Sequence, residues 1–493
     1  MILNVDRNSK IPVFQQVVNQ IIELINNGTL GTGEILPSSR DMAKMIGVNR
    51  TTVVRVYSEL GAQGYVESSP GSYTTVRKRQ SAISEQEDDI QNNSFVQNVF
   101  RDNHNLSYDA MMHYIENGKA MEKEKINFLQ LSPDARLVDI KHTKACMRDI
   151  LKDTQASPFV FTHARGYQPL RHEIVKQMKL HSIYANDKNV LITNGSLQSL
   201  QLIFQTFSKP GDYIAIENPS YSIMWLIAKI FQLNVIEIPI TGKGMDLHIL
   251  EKVLNEKPVR FIYVMPTYQN PTGLSMPQDK RERLVQLCDG KDCIIIEDSI
   301  EEELKYSGKT YLPVKAIDKK GQVIYLGTYT KVMAPGLRIG WIIGIPECIK
   351  KLTVVKSIFE ISSTTISQMF LYNFLIRGAY NMHLRKIVRV FKKRMKIAVS
   401  AIKKYIPVEK IEWTEPYGGY MIWLKLLTKP QRNIENHFSD YGVLIHNGQY
   451  FFANEQPNNY IRICIAQTNE REIEEGIKRI GEAISALEYI SFI

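Results

Sequence analysis

Lys331 and Arg338 stand seven residues apart, just after the apolar run Val323 to Leu326 and the polar stretch Gly327-Thr328-Tyr329-Thr330. Four more apolar runs end in the same manner. Val190-Leu191-Ile192 leads into Thr193-Asn194-Gly195-Ser196-Leu197 and then a helical pattern, an arrangement that builds an anion site from the first amides of a helix. Tyr213-Ile214-Ala215-Ile216 is followed by Glu217-Asn218-Pro219-Ser220-Tyr221, whose aromatic ring is available for stacking. Phe261-Ile262-Tyr263-Val264-Met265 gives way to Pro266-Thr267-Tyr268-Gln269-Asn270-Pro271-Thr272-Gly273, and Ile294-Ile295-Ile296 ends in Glu297-Asp298. Each cluster alone has an ordinary explanation: a proline-glycine loop, an aspartate cap, a surface lysine.

The elements that carry these clusters are short, β-branched and apolar throughout, and they alternate with helical segments from about residue 126 onward. Strands of that kind are buried on both faces, so the pattern predicts a largely parallel sheet wrapped by helices. Such sheets place ligands at the carboxyl ends of their strands, where all five clusters lie.

As an ordered set, the clusters resemble the fold-type I pyridoxal-phosphate enzymes of the aminotransferase superfamily over roughly residues 126 to 490. The resemblance implies pyridoxal 5'-phosphate as cofactor, Lys331 as the Schiff-base lysine and Asp298 as partner of the pyridinium nitrogen. It further implies Tyr221 stacked on the ring and Asn270 donating to the phenolate oxygen. Ser196 and Leu197 amides, Thr328, Thr330 and Arg338 would hold the phosphate. Arg462, in Tyr460-Ile461-Arg462-Ile463-Cys464, matches the arginine that grips a ligand carboxylate as a bidentate fork. Two hydroxyls usual in this pattern are missing: Ile300 stands two residues after the aspartate, and Phe161 stands five residues before Gly166. Their absence leaves the residues for cofactor binding in place but removes groups that assist proton transfer in a full transamination.

The first part of the chain reads differently. Phe14, Val17, Ile21 and Ile25 share one helical face ahead of Asn27-Gly28, and Ser38 with Asp41 three residues on opens a short second helix that Gly47 closes. Asn49 is placed to cap a third helix ending near Gln63-Gly64, and Tyr65-Val66-Glu67 with Tyr73-Thr74-Thr75-Val76 reads as a hairpin. Two short helices and a turn make a helix-turn-helix, whose second helix presents Arg50, Thr51, Thr52 and Arg55 to a major groove, with Ser39 and Arg40 set for phosphates. The segments LPSSR, VNRTTV and GYVESSPGSYTTV, between Pro12 and Val76, resemble the GntR type of winged helix, with Tyr73 where that family usually has a second wing glycine.

The two modules together resemble the MocR subfamily of GntR regulators, commonly head-to-tail homodimers. The domains expected are a DNA-binding domain over 1–78, a linker over 79–125 with a helix near Ser94 to Arg101, and an aminotransferase-like effector and dimerisation domain over 126–493. Members that sense γ-aminobutyrate carry an arginine two residues after the stacking tyrosine, and Ile223 stands there. The implied effector is therefore pyridoxal phosphate itself or an α-amino acid held by Arg462.

Bulk properties agree. A chain of 493 residues, 44% apolar and 23% charged, has material for more than one globular core. No apolar run reaches the ~20 residues of a membrane helix, and no signal-peptide layout opens the chain, so a cytoplasmic protein with no membrane partner is expected. Cys146, Cys288, Cys293, Cys348 and Cys464 form no metal-ligand spacing, and no metal is expected. The net charge of +10 favours an anionic partner such as double-stranded DNA. Residues 382 to 406 hold nine lysines and arginines and no acidic residue, with Ile387, Val390, Phe391, Met395 and Ala398 at helical spacing, which reads as an amphipathic helix with a basic outer face. The favoured reading is a DNA-binding transcription regulator that senses cofactor or an amino-acid ligand. The alternatives are a catalytically active aminotransferase with an accessory DNA-binding domain, and a DNA-binding protein whose second domain only dimerises.

Overall fold

The computed structural model describes residues 3–7, 9, 11–68, 73–77, 125–152, 158–299, 302–329, 331–427, 430, 433–454 and 457–487. The chain divides into two compact units, Met1–Asn103 and His104–Ile493. Most of the expected linker, with its helix near Ser94, lies outside the described residues.

In the first unit, α1 spans Val13–Asn26, α2 Ser39–Ile46 and α3 Arg50–Ala62. Val17, Val18 and Ile21 on α1, Met42 and Ala43 on α2, and Val53, Val56 and Leu60 on α3 close one small core. The α2 cap is as the sequence predicts: the Ser38 side chain accepts from the Asp41 amide at 3.2 Å, and Gly47 ends the helix at φ +66°. At α3 the expectation fails in part, because Asn49 sits at the cap position but its side chain makes no cap bond. The hairpin pairs β1, Val66–Ser68, antiparallel to β2, Thr74–Val76, in the register Val66 to Val76. Buried Val66 and Val76 fold the hairpin onto the helices; its turn lies outside the described residues.

In the second unit the main sheet is built, in chain order, from β3 Val190–Thr193, β4 Tyr213–Asn218, β5 Asn234–Thr241, β6 Gly244–Met245, β7 Val259–Val264, β8 Ile294–Asp298, β9 Val323–Thr328 and β10 Gly340–Ile343. The strand order is β3-β10-β9-β8-β7-β4-β5-β6. β9, β8, β7, β4 and β5 run parallel, while β10 runs against both its neighbours. The unbroken apolar runs follow from burial on both faces. Ile214, Ile216, Phe261, Ile296 and Ile324 pack into one cluster with the helix α4, Ser196–Phe207, whereas Ala215, Ile262, Ile295 and Val323 pack into another with Leu250 and Leu284.

A second, four-stranded antiparallel sheet that the apolar patterning does not announce consists of β11 Ile411–Trp413, β12 Met421–Leu426, β13 His446–Asn447 and β14 Tyr460–Cys464, ordered β11-β12-β14-β13. Two helices accompany it, α5 Ala379–Tyr405 and α6 Glu470–Ser485, which pack on one another. α5 is the expected basic helix, with Ile387, Phe391, Met395 and Ala398 buried. One of its cations faces inward: Arg394 is buried beside Phe391 and donates to buried Asp134 at 2.8 Å, so it does not belong to the outer face. All five cysteines are free thiols. Among the described residues no helix is long and apolar enough to cross a membrane.

Candidate functional site

Strand direction brings residues of the expected anion cradle to one sheet edge. Because β10 opposes its neighbours, the residues before it lie at the same sheet edge as those that follow β3 and β9. Gly340 pairs with Thr193 on one side and with Thr328 on the other. Gly195, at φ +100°, turns the chain from β3 into α4, whose first residues are Ser196 and Leu197. The first amides of a helix have no intrahelical acceptor and attract anions. Arg338, exposed and at φ +51°, donates from Nη2 to the Asn194 carbonyl at 3.1 Å. Side chains are excluded from the bend: a Cβ on Gly195 would lie 3.1 Å from Arg338 Nη2, and one on Gly340 would lie 2.9 Å from the Gly195 Cα. Thr328 lies at the cradle, but its hydroxyl donates to the Ile339 carbonyl at 2.9 Å. Thr330 lies outside the described residues.

Next along the edge, the ends of β8 and β7 bring Asp298 and Asn270 into the interior, both fully buried. Asp298 Oδ2 accepts from the Tyr263 hydroxyl at 2.8 Å, while Oδ1 has no hydrogen-bond partner among the described residues. Burial pushes the Asp298 carboxyl up to about 6, against the pull of the Tyr263 hydroxyl and the Lys331 ammonium. Lys331 is half-buried and its carbonyl accepts from the Tyr420 hydroxyl. Asn270 Oδ1 accepts from Arg462 Nη1 at 3.2 Å, and its Nδ2 has no partner among the described residues. Arg462, on β14, also donates from Nη2 to the Leu129 carbonyl at 2.7 Å and lies with its Cζ 5.0 Å from the centre of the Phe451 ring. Tyr221, half-buried, stands at the start of the helix Ser222–Ile230, with Ile223 in that helix's first turn.

Two buried atoms thus await opposite partners: a carboxylate oxygen that needs a donor, and an amide nitrogen that needs an acceptor. Leaving such groups unmet costs roughly 1–3 kcal/mol each. With a glycine-lined anion cradle on the same edge, the set fits a flat heterocycle with a protonated ring nitrogen, an adjacent oxygen and a phosphate. The sequence reasoning missed Tyr263, read only as part of an apolar strand. The available signal was a hydroxyl-bearing residue in a fully buried run, on the strand paired with the one that ends in Asp298. Glu217, fully buried at the end of β4, was likewise passed over. It accepts from the Met265 amide at 3.0 Å, and burial pushes it up to about 8. Of the two replaced tyrosines, Ile300 lies outside the described residues, and Phe161 is 73% exposed. No cluster suited to a metal ion occurs among the described residues.

In the first unit, the expected DNA-facing residues lie at the start of α2 and in the first two turns of α3. Arg40, Arg50, Thr51 and Arg55 are exposed, and Ser39 and Thr52 are half-buried. Arg50 Nε donates to Ser39 Oγ at 3.2 Å, joining the two helices of the motif. The Arg55 guanidinium lies 4.0 Å from the centre of the Phe14 ring, so this arginine is braced by α1. The Tyr57 hydroxyl, bonded to the Pro37 carbonyl at 2.5 Å, ties α3 to the chain ahead of α2.

Comparison with known proteins covers both units. Residues 133–480 match the family Aminotransferase class I and II, and residues 14–76 match Bacterial regulatory proteins, gntR family. An aromatic-amino-acid aminotransferase of Thermococcus litoralis is 34% identical over 68% of this chain and 82% of its own length. The HTH-type transcriptional regulator YdfD of Bacillus subtilis is 28% identical over 97% of both chains, and YdcR of Escherichia coli is 28% identical over 96% of this chain and 98% of its own. Among solved structures, the multiple substrate aminotransferase of Thermococcus profundus superposes with a TM-score of 0.74 at 29% identity, covering 80% of this chain and 98% of the other.

Proposed function

The chain belongs to the class I and II aminotransferase family and carries a gntR-family DNA-binding domain at its N-terminus, and from that premise we propose a transcription regulator that holds pyridoxal phosphate and responds to cofactor or an α-amino acid. The observation that carries the cofactor is the pair of buried, unmet atoms, Asp298 Oδ1 and Asn270 Nδ2, in the unit that contains Lys331. When bound, the cofactor would supply an aldehyde carbon that condenses with amines and a ring that withdraws electrons. Lys331 would make the covalent link, Asp298 would hold the ring nitrogen protonated, and Asn270 would donate to the ring oxygen. Tyr221 would cover the ring face. Ser196 and Leu197 amides, Thr328, Thr330 and Arg338 would hold the phosphate.

Arg462 would receive the carboxylate of an α-amino acid, and its bond to Asn270 gives that event a route to the cofactor. A ligand shifts the DNA-binding state only through unequal affinity for the two states. Arg50, Thr51, Thr52 and Arg55 would read bases while Ser39 and Arg40 contact phosphates. We take 1–78 as the DNA-binding domain, 79–125 as linker and 126–493 as effector and dimerisation domain. Pairing into a homodimer is supported by exposed Phe159, Val160, Phe161, Ile358, Phe359 and Ile361, which lie on two segments joined where Thr365 Oγ1 bonds the Val160 carbonyl at 2.9 Å. A chromosomal operator puts its work in the cytoplasm.

A second reading, a working aminotransferase with an accessory DNA-binding domain, draws on the 34% identity to an aminotransferase. The deciding experiment is an absorbance spectrum of protein incubated with pyridoxal phosphate, before and after adding amines. The proposal requires a band near the visible edge on adding pyridoxal phosphate, shifted by an α-amino acid where the amino acid is the effector, without sustained turnover to keto acid. No band would defeat the sensing role; a band that no amine shifts would leave pyridoxal phosphate itself as the effector; multiple turnovers would favour the enzyme.

A further inference from the structure

The exposed cations of the basic helix α5 take no part in the site described above. Eight of its cations are exposed, and they fall into two groups. Lys393, Lys403 and Lys404 are partnered, by Glu470 at 3.4 Å, Glu415 at 3.2 Å and Glu474 at 3.9 Å, and Lys386 reaches toward the Leu137 carbonyl at 3.4 Å. Arg385, Arg389, Lys392 and Lys396 form no ion pair or hydrogen bond among the described residues. Their spacing of four, three and four residues puts them within an arc of about 60° on the helix, a straight ridge of roughly 16 Å at the helical rise. Ile387, Phe391, Ala398 and Ile402 are buried on the opposite face.

Like charges three and four residues apart repel along a helix, and here no carboxylate between residues 382 and 406 relieves them. The helix that carries the ridge is unbroken from Ala379 to Tyr405 and is anchored by its apolar face and by the buried Arg394 to Asp134 bond. The ridge is therefore a continuous helical line of positive charge, unpaired among the described residues, whose length matches about five base steps of one DNA strand. We propose that Arg385, Arg389, Lys392 and Lys396 form a second DNA contact, on the aminotransferase-like unit, that grips the phosphate backbone without reading sequence. It rests on the DNA-binding reading of the N-terminal unit and extends the bound length of duplex beyond what that unit covers. The four matched cations would each displace a condensed counterion, which makes the contact visible in salt dependence.

The test uses the full chain and a duplex of about 80 base pairs carrying a site selected by the full chain from a random library, with a random duplex of equal length. The variant is Arg385→Gln, Arg389→Gln, Lys392→Gln and Lys396→Gln together, glutamine being a good helix former. The slope of log affinity against log salt should become shallower by about 3 to 4 per chain, at about 0.9 per phosphate. A fourfold rise in salt should therefore weaken the parent about a hundredfold more than the variant. The ratio of affinities for selected and random duplex should stay put. The control Lys393→Gln, Lys403→Gln, Lys404→Gln, which removes partnered cations, should move the slope by less than about 1. Thermal melting of each variant reports folding; should the quadruple variant melt early, Arg389→Gln with Lys392→Gln must give half the change in slope.

An unchanged slope in a folded variant overturns the proposal, as does an equal change in the control. Loss of binding to phosphatidylserine vesicles with the DNA slope intact would assign the ridge to a membrane surface and overturn it equally. Failure of the parent chain to bind any duplex would instead defeat the DNA-binding reading on which the ridge depends, and is seen before any variant is made.

Discussion

Asp298 is the residue on which the cofactor reading is most exposed to measurement. Its carboxyl is pushed up from 3.8 to about 6 by burial, so in the empty protein it becomes hard to ionise. A raised folded-state value means that this group's contribution to stability is present below its ordinary value and is lost as pH rises through about 6. A protonated ring nitrogen placed at Oδ1 would reverse that penalty. The rise in melting temperature on adding pyridoxal phosphate should therefore grow from about pH 4 to about pH 6 and level off above it, and Asp298→Asn should flatten it. A rise that is independent of pH in the parent chain would contradict the pairing. At the lysine, Lys331→Ala should abolish the adduct that borohydride traps, and trapping on another lysine would move the site. Arg462→Ala should keep the cofactor band yet lose the shift with α-amino acids. A stronger response to γ-aminobutyrate than to any α-amino acid would count against Arg462 as the carboxylate fork.

At the scale of elements, two junctions carry the proposed function. One is the crossing of β3, β10 and β9, where Gly195 and Gly340 approach so closely that a side chain on either must displace something. Gly340→Ala would set a methyl against the Gly195 backbone, and overpacking of that kind costs about 1–3 kcal/mol. The expected outcome is a lower melting temperature together with weakened binding of pyridoxal phosphate, measured by equilibrium dialysis; unimpaired binding would remove the cradle from this junction. The other is the start of α3, where Arg50 is steadied by Ser39. An arginine on a base edge is worth about 1–3 kcal/mol of discrimination, whereas a phosphate contact weakens all sequences alike. Arg50→Ala should thus reduce binding to a selected site more than to random duplex, by roughly tenfold or more in the ratio. Equal losses would make Arg50 a phosphate contact. Arg55, braced on Phe14, should show the smaller selectivity effect of the two.

At the scale of the whole molecule, the sequence determined the two-module plan because both modules are written in local pattern. A buried strand must be apolar throughout, and a chain that turns at a strand end must spend glycine, proline or a capping residue there, so five strands and their polar ends were legible in order. The helix-turn-helix was legible for the same reason, down to the Ser38 cap and the Gly47 stop. What the tertiary structure decided depends on which strands lie side by side. The reversal of β10, which carries Arg338 to the edge where Ser196 and Thr328 lie, is a property of sheet order. So is the meeting of Tyr263 with Asp298, across strands β7 and β8, and of Arg462 with Asn270, 192 residues apart in the chain. The inward turn of Arg394 is of the same kind: its spacing marked a basic helix, but only the presence of buried Asp134, 260 residues away, made it an interior ion pair. Residue type and spacing are set by the environment each residue must meet locally; a partner's identity is set by long-range packing, which leaves no periodic trace along the chain.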